Sequence, residues 1–344
     1  MRILCIGPMW RGSNAGGLFR AFSREGCPID VADEFYYVSL RSENRNLKIA
    51  ERILRPMQET EFNNSIKKQI DILSPEIVFV FKGTFVRPET LHYARAKGCK
   101  LALFYPDVSV TAHGKNIPGC IPVYDHIFTT KTFGIKDMYD KYGVKSVTFI
   151  PHGFDPDIHR PLKVSERDRK AFGCDVSYIA VWSPKKEKYL AHLKETLPGI
   201  NLKVWGGQWE KATSPALKSS LMGVPVTGDL YAMAIQCSTI NLGILNERVT
   251  GASSGDLITS RTFHIPGAQG FMLHERNEES VLYYKENEEA GFFDGPEEMA
   301  AQVKRFLADD TLRERIRIAG HKRALADHSL NVRARIILGT LSGL

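Results

Sequence analysis

Residues Ser238–Glu289 read STINLGILNERVTGASSGDLITSRTFHIPGAQGFMLHERNEESVLYYKENEE. Thr239 to Leu245 is a short apolar run suited to a buried parallel strand. A polar, Gly/Ser-rich loop follows from Thr250 to Asp256, and Leu257 to Ala268 can wind as a short helix. Phe271 to Leu273 is apolar again and enters a charged segment at His274. Strand, loop, helix, strand is half of a βαβ unit, whose ligands sit between strand end and helix start. The first turn of that helix offers unpaired backbone N–H groups and the positive end of the helix dipole, and Arg261 lies one turn further on. The expected guest is an anionic group, most often a phosphate.

Arg261-Thr262-Phe263, Ile265-Pro266, Gly267-Ala268, Gly270-Phe271 and the acidic run from His274 to Glu279 resemble the C-terminal half of CgeB-like glycosyltransferases. The resemblance continues through Asp294-Gly295-Pro296-Glu297-Glu298 to the closing basic helices. It covers roughly residues 100 to 340 and is strongest in the second half. That family is similar to glycosyltransferase family 4 and implies an α/β chain with the GT-B fold. Two Rossmann-like domains would face a central cleft, with a C-terminal helix crossing back to the first. The expected boundaries are 1–161 for an acceptor domain, 162–328 for a nucleotide-sugar domain and 329–344 for the returning helix.

The wider group carries two glutamates with seven residues between them, the second usually holding the nucleotide ribose. Asp256 and His264 stand at those places here. Aspartate keeps a carboxylate, whereas a neutral imidazole offers one acceptor nitrogen in place of two oxygens. The donor diphosphate is expected on Arg261 and on Lys185 or Lys186, with Lys188 as a substitute. Ser260, Thr262 and Gly267 on the same helix, His264 and Gly207 complete the donor-side candidates. Trp209, after the Gly206-Gly207 pair, would stack on a base or simply pack.

The first half reads as alternating strands and helices. Ile3 to Ile6 is a buried strand, and a glycine-rich turn from Arg11 to Gly17 opens a helix at Leu18. A ligand can approach such a turn closely, which makes Asn14, Gly16 and Gly17 candidates. Asn46 to Leu73 is largely helical, with Pro56 interrupting it. Glu76 to Phe81 and Lys100 to Tyr105 are apolar strands, and the second delivers Asp107 to the edge where α/β sheets place ligands. Asp107, His113 in the long loop that follows, and Asp256 are the candidate catalytic residues. Acceptor contacts are expected near residues 8–17, 38–46 and 106–122. The resemblance implies retention of anomeric configuration, whereas a general base from Asp107 or His113 would suit inversion.

The segment Pro151-His152-Gly153-Phe154-Asp155 looks like the turn that closes the first domain in family 4-type enzymes. Asp155-x-Asp157 has the spacing of a metal-binding D-x-D, but its carboxylates flank a proline and no further ligand set lies nearby in sequence. No metal and no cofactor are expected, the nucleotide sugar serving as co-substrate. Leu162 to Lys170 reads as a charged linker.

The chain has 344 residues, 43% hydrophobic and 25% charged, an ordinary globular composition. No apolar run approaches the ~18 residues of a membrane span, and MRILCIGPMW reads as a first strand. Six cysteines without C-x-x-C spacing read as reduced thiols of a cytoplasmic protein. A net charge of +7 favours anionic partners. Nucleic acid is not favoured among them, because no basic stretch is interleaved with aromatics. Three readings follow. The first is a glycosyltransferase with an unknown acceptor. The second is an inactive GT-B binder of nucleotide or glycan, and the third a glycosyltransferase of modified DNA bases. A sugar-nucleotide epimerase shares the expected fold.

Overall fold

The computed structural model describes residues 1–38 and 45–344. The chain forms two compact units, Met1–Pro151 with Arg248–Ser254 and Asn331–Leu344, and His152–Glu247 with Gly255–Leu330.

Unit 1 is built on six parallel strands: β1 (Ile3–Gly7), β2 (Ile29–Asp33), β3 (Ile77–Phe81), β4 (Lys100–Tyr105), β5 (His126–Thr129) and β6 (Val147–Phe149). Their order in the sheet is β2-β1-β3-β4-β5-β6. β1 and β3 are buried throughout, as a parallel sheet covered on both faces requires. The covering helices are α1 (Asn14–Arg24), α2 (Glu34–Tyr37), α3 (Arg45–Leu73), α4 (Pro88–Ala96), α5 (Ile117–Cys120) and α6 (Thr132–Tyr142). α3 runs through Pro56 rather than breaking there. The bond a proline removes would end on the carbonyl of Arg52, an exposed residue, where water replaces the lost donor. Phe62, Ile66 and Ile70, at helical spacing, seat α3 on the core.

Unit 2 repeats the plan with β7 (Cys174–Ile179), β8 (Leu202–Trp205), β9 (Ser238–Gly243), β10 (Met272–Glu275) and β11 (Gly291–Phe293), in the order β11-β10-β9-β7-β8. Its helices are α7 (Glu166–Phe172), α8 (Pro184–Thr196), α9 (Gly228–Gln236), α10 (Ser260–Gly267), α11 (Ser280–Tyr283), α12 (Gly295–Ala308) and α13 (Asp310–Asp327). The closing helix α14 (Leu330–Leu341) falls in unit 1 from Asn331 onward. In each sheet the first strand has the second on one side and the third on the other. The chain therefore reverses direction between β1 and β3, and again between β7 and β9, where doubly wound sheets open a ligand crevice.

Three local expectations change. The supposed linker contains α7, begun by a capping box: Ser165 Oγ accepts from the Asp168 N–H at 3.2 Å, and Asp168 accepts from the Ser165 N–H at 2.9 Å. The Gly/Ser loop after β9 packs within unit 1, where Ser109 Oγ donates to the Thr250 carbonyl at 2.8 Å and Lys141 Nζ to that of Gly251 at 2.9 Å. α10 starts only at Ser260, after Thr259 as N-cap.

β9 and β10 meet without a gap at Gly243, where an added Cβ would lie 2.3 Å from the His274 ring. That ring is fully buried and pinned at both nitrogens. Gly243→Ala should therefore cost about 1–3 kcal/mol, seen as a lower denaturation midpoint; an unchanged midpoint would show that His274 can move aside.

Candidate functional site

The crevice at the β7/β9 reversal is where unit 2 gathers its charged side chains. β9 continues as Ile244-Leu245-Asn246-Glu247, and the Glu247 carboxylate closes the start of α8. It accepts from the Ser183 hydroxyl at 2.7 Å and from the Lys185 N–H at 2.8 Å, satisfying a donor the helix leaves open. Burial works against its charge. The hydrogen bonds from Ser183 and from backbone N–H groups, with the nearby Lys186 ammonium, outweigh it and hold the carboxyl below its usual range.

The two lysines at the head of α8 have different fates. Lys185 Nζ is claimed by Glu275 at the end of β10, at 2.6 and 2.9 Å from its two oxygens, and Glu275 also accepts from the Leu245 N–H at 2.9 Å. Lys186 is 3% exposed, and its ammonium donates to the Val181 carbonyl at 2.8 Å. Burial and the neighbouring Arg261 push it down to about 7, against the pull of Glu247 and Asp256.

Arg261, in the first turn of α10, donates from Nη2 to the Ile244 carbonyl at 2.9 Å and lies over the Tyr178 ring at 5.5 Å. Its Nε is buried with no hydrogen-bond partner among the described residues. The cavity beneath it, about 10 Å³ and lined partly by Ser177, Asn241 and Tyr231, has room for one water. Asp256 accepts a short hydrogen bond from the Asn246 amide and is 7% exposed. Lys186 and Arg261 thus border a place suited to an anion, with Glu247 and Asp256 at its edge.

The rest of α10 is tied inward. Thr262 is fully buried. His274 Nδ1 lies 2.7 Å from the Glu275 carbonyl, which fixes the proton on that nitrogen. Nε2 is then an acceptor, and the Thr262 hydroxyl donates to it at 2.8 Å. Burial drives His274 down to about 4, so the ring is neutral. Ser260 Oγ lies 3.3 Å from His152 Nδ1. Gly267 lets α10 rest on Phe154, whose ring an added Cβ would reach at 2.5 Å.

His264 is 7% exposed and stacks on His159 with ring centres 3.8 Å apart, both rings meeting the edge of Tyr231. Burial first, then His159, His152 and Arg261, hold His264 well below its usual range, with a backbone hydrogen bond to Gly153 opposing them. Its Nε2 has no partner among the described residues, so the Gly153 bond belongs to Nδ1 and leaves Nε2 a buried lone pair. Gly207 stands in open space, whereas Gly206, with φ +137°, makes the close approach: an added Cβ would lie 2.0 Å from the Ala180 carbonyl. Trp209 packs, 3% exposed, with Nε1 donating to that same carbonyl at 2.8 Å.

In unit 1, Asp107 follows β4, 2.7 Å from Lys82 Nζ and 3.8 Å from His113 Nε2. Burial lowers His113, Asp107 opposes, and Lys82 adds to the lowering. Asn14, Gly16 and Gly17 lie in the first turn of α1 rather than in a loop, because Ser13 serves as N-cap and accepts from the Gly16 N–H at 3.0 Å. Within the expected 38–46 acceptor segment, residues 39–44 lie outside the described residues. Asp155 Oδ1 accepts from the Asp157 N–H at 3.0 Å. No group of three or more His, Cys, Asp or Glu is placed to hold a metal among the described residues. No helix among the described residues is long and apolar enough to cross a membrane. All six cysteines are free thiols, four of them buried.

Glu247 and Glu275 escaped the sequence reading, although each follows an apolar strand, the signal that singled out Asp107. Nothing in the sequence marks His159 as the partner of His264.

Solved structures share this architecture along the whole chain. A glycosyltransferase from Rickettsia africae ESF-5 matches with a TM-score of 0.66 at 12% identity, over 98% of this chain and 97% of that one. Sucrose-phosphate synthase from Thermosynechococcus elongatus also gives 0.66 at 12%, over 99% and 98%. The Anabaena protein HepE, solved in complex with UDP-glucose, gives 0.66 at 11%, over 100% of both chains. The fold is that of the GT-B glycosyltransferases. Residues 185–339, a little under half of the chain, match the family described as glycosyl transferase-like. No curated protein matches the chain by sequence.

Lys186 carries a stability prediction. Its folded value of about 7 lies below the ~10.4 of an unfolded lysine. Between those limits the unfolded chain holds more protons, so this residue makes stability rise with pH across that window. Lys186→Met should raise the melting temperature near neutral pH and flatten the rise. An unaltered pH profile would mean that the ammonium is solvated.

Proposed function

We propose that the protein is a glycosyltransferase that binds a nucleotide-sugar donor on unit 2 and an acceptor on unit 1. The observation that carries this reading is the pairing of buried Lys186 with Arg261 at the head of α10, next to an unpartnered guanidinium N–H. Two like charges side by side in a buried crevice disfavour one another, and a diphosphate relieves both. As the bond from the sugar C1 to the diphosphate oxygen breaks, charge grows on that oxygen, and these donors stabilise it. The HepE structure contains UDP-glucose, which makes UDP-hexoses the first donors to try. Asp256 stands beside the diphosphate place, and Asp107 with His113 serves the acceptor. Retention of configuration, catalysis without a metal, a reducing cytoplasmic setting and a place among CgeB-like enzymes belong to the same reading.

His264 favours a second one. A stacked, buried imidazole replaces a carboxylate, and a scaffold that binds nucleotide without transferring sugar would tolerate that change. Thermal-shift measurements with UDP-, GDP-, dTDP- and CMP-sugars separate the cases. A donor at ~100 times its dissociation constant adds ~2.7 kcal/mol of stability. One donor should stabilise the wild type and fail with Arg261→Ala, and slow hydrolysis of that donor should follow. Binding without hydrolysis or transfer would select the second reading, and no binding at all would defeat both.

A further inference from the structure

The C-terminal edge of the unit 1 sheet carries a second group of titratable side chains, in which Glu34 and Lys82 join the Asp107 and His113 that the sequence singled out. β2 ends at Asp33 and delivers Glu34, β3 delivers Lys82, and β4 delivers Asp107. Lys82 adopts φ 66°, a left-handed conformation that costs a non-glycine residue free energy and recurs at functional sites. That turn sets its ammonium 2.7 Å from Asp107 Oδ2, and His113 Nε2 lies 3.8 Å from the same oxygen. Lys82, Asp107 and His113 keep 32%, 27% and 40% of their side-chain surface exposed, so the row is open to a ligand.

Glu34 is half-buried, and its carboxyl makes no hydrogen bond or ion pair with the described residues. Burial pushes it up to about 7, against the attraction of Lys82 and Arg55 and with the help of Asp33. The loop between β1 and α1 is fixed beside it, because the Met9 N–H donates to Asp33 at 3.0 Å, and that loop carries half-buried Trp10. The row therefore offers acceptors and a donor in alternation: carboxyl, ammonium, carboxyl, imidazole. Two carboxylates repel a phosphorylated ligand. A purely apolar ligand would leave all four groups desolvated without partners. Adjacent hydroxyls, each able to donate and accept, match the alternation.

We propose that this edge binds a polyhydroxylated acceptor, a sugar or glycosyl group, with Glu34 and Asp107 receiving its hydroxyl hydrogens and Lys82 donating to its oxygens. The inference rests on the glycosyltransferase reading for the word acceptor; the binding chemistry stands on unit 1 alone. Below pH 7 Glu34 takes up a proton and accepts less well, so binding should weaken on acidification.

The test is ligand-observed saturation-transfer NMR on the full chain with methyl glucoside, methyl N-acetylglucosaminide and maltose, beside 1-octanol and phosphoserine. UDP serves as the check on unit 2. At least one glycoside should bind the wild type, and Glu34→Gln and Lys82→Met should each weaken it roughly tenfold while UDP binding persists. Glycoside affinity should also fall between pH 8 and 6 in the wild type and not in Glu34→Gln. If the chain binds UDP but prefers octanol or phosphoserine to every glycoside, the acceptor class is wrong. Glycoside binding unchanged in both variants would place the site elsewhere. A wild type that binds neither UDP nor glycoside would defeat this inference together with the reading beneath it.

Discussion

Two cations share a buried crevice at the reversal of the unit 2 sheet, and much around them is arranged to keep them there. Lys186 has one backbone carbonyl for a partner and Arg261 another, and each disfavours the charge of the other. A lysine held at about 7 costs folding free energy that packing elsewhere must offset. Glu247 fixes the start of α8, Glu275 draws Lys185 aside, and the Thr262–His274 pair anchors α10 to β10. Each contact joins a helix start to a strand end, so the geometry of the crevice follows from strand order.

The strands were legible because parallel sheets demand apolar runs, and β4 runs between the residues the sequence suggested. Other elements were less so. α7 is too charged to show an apolar face, and its capping box was the available signal. The turn at residues 11–17 looked like a loop because glycines are read as breakers. Ser13, however, caps a helix that begins with them, and Gly16 leaves room for the cap, since a Cβ there would lie 2.8 Å from Ser13 Oγ.

The site was legible in type but not in assignment. Arg261 and a basic residue at the head of α8 could be expected from the βα pattern and the family resemblance. Which lysine a carboxylate claims could not, because the answer depends on Glu275, ninety residues away in sequence and adjacent in space. His264 shows the same limit. The resemblance led one to expect a carboxylate in its place, whereas its stacking on His159 depends on how residues 152–160 fold against α10. Hydrogen bonds and burial decide these roles, and both belong to the tertiary structure.

Proton uptake on nucleotide binding tests the central claim most directly. Isothermal titration of UDP into the protein at pH 8, in buffers of different ionisation enthalpy, reads it. If the diphosphate sits against Lys186, binding restores the ammonium, and the wild type should take up close to one proton, about 0.9 from a folded value near 7. Lys186→Met should take up none. UDP bound by the wild type with the same heat in every buffer would show that the anion lies elsewhere, and the account of the crevice would fail.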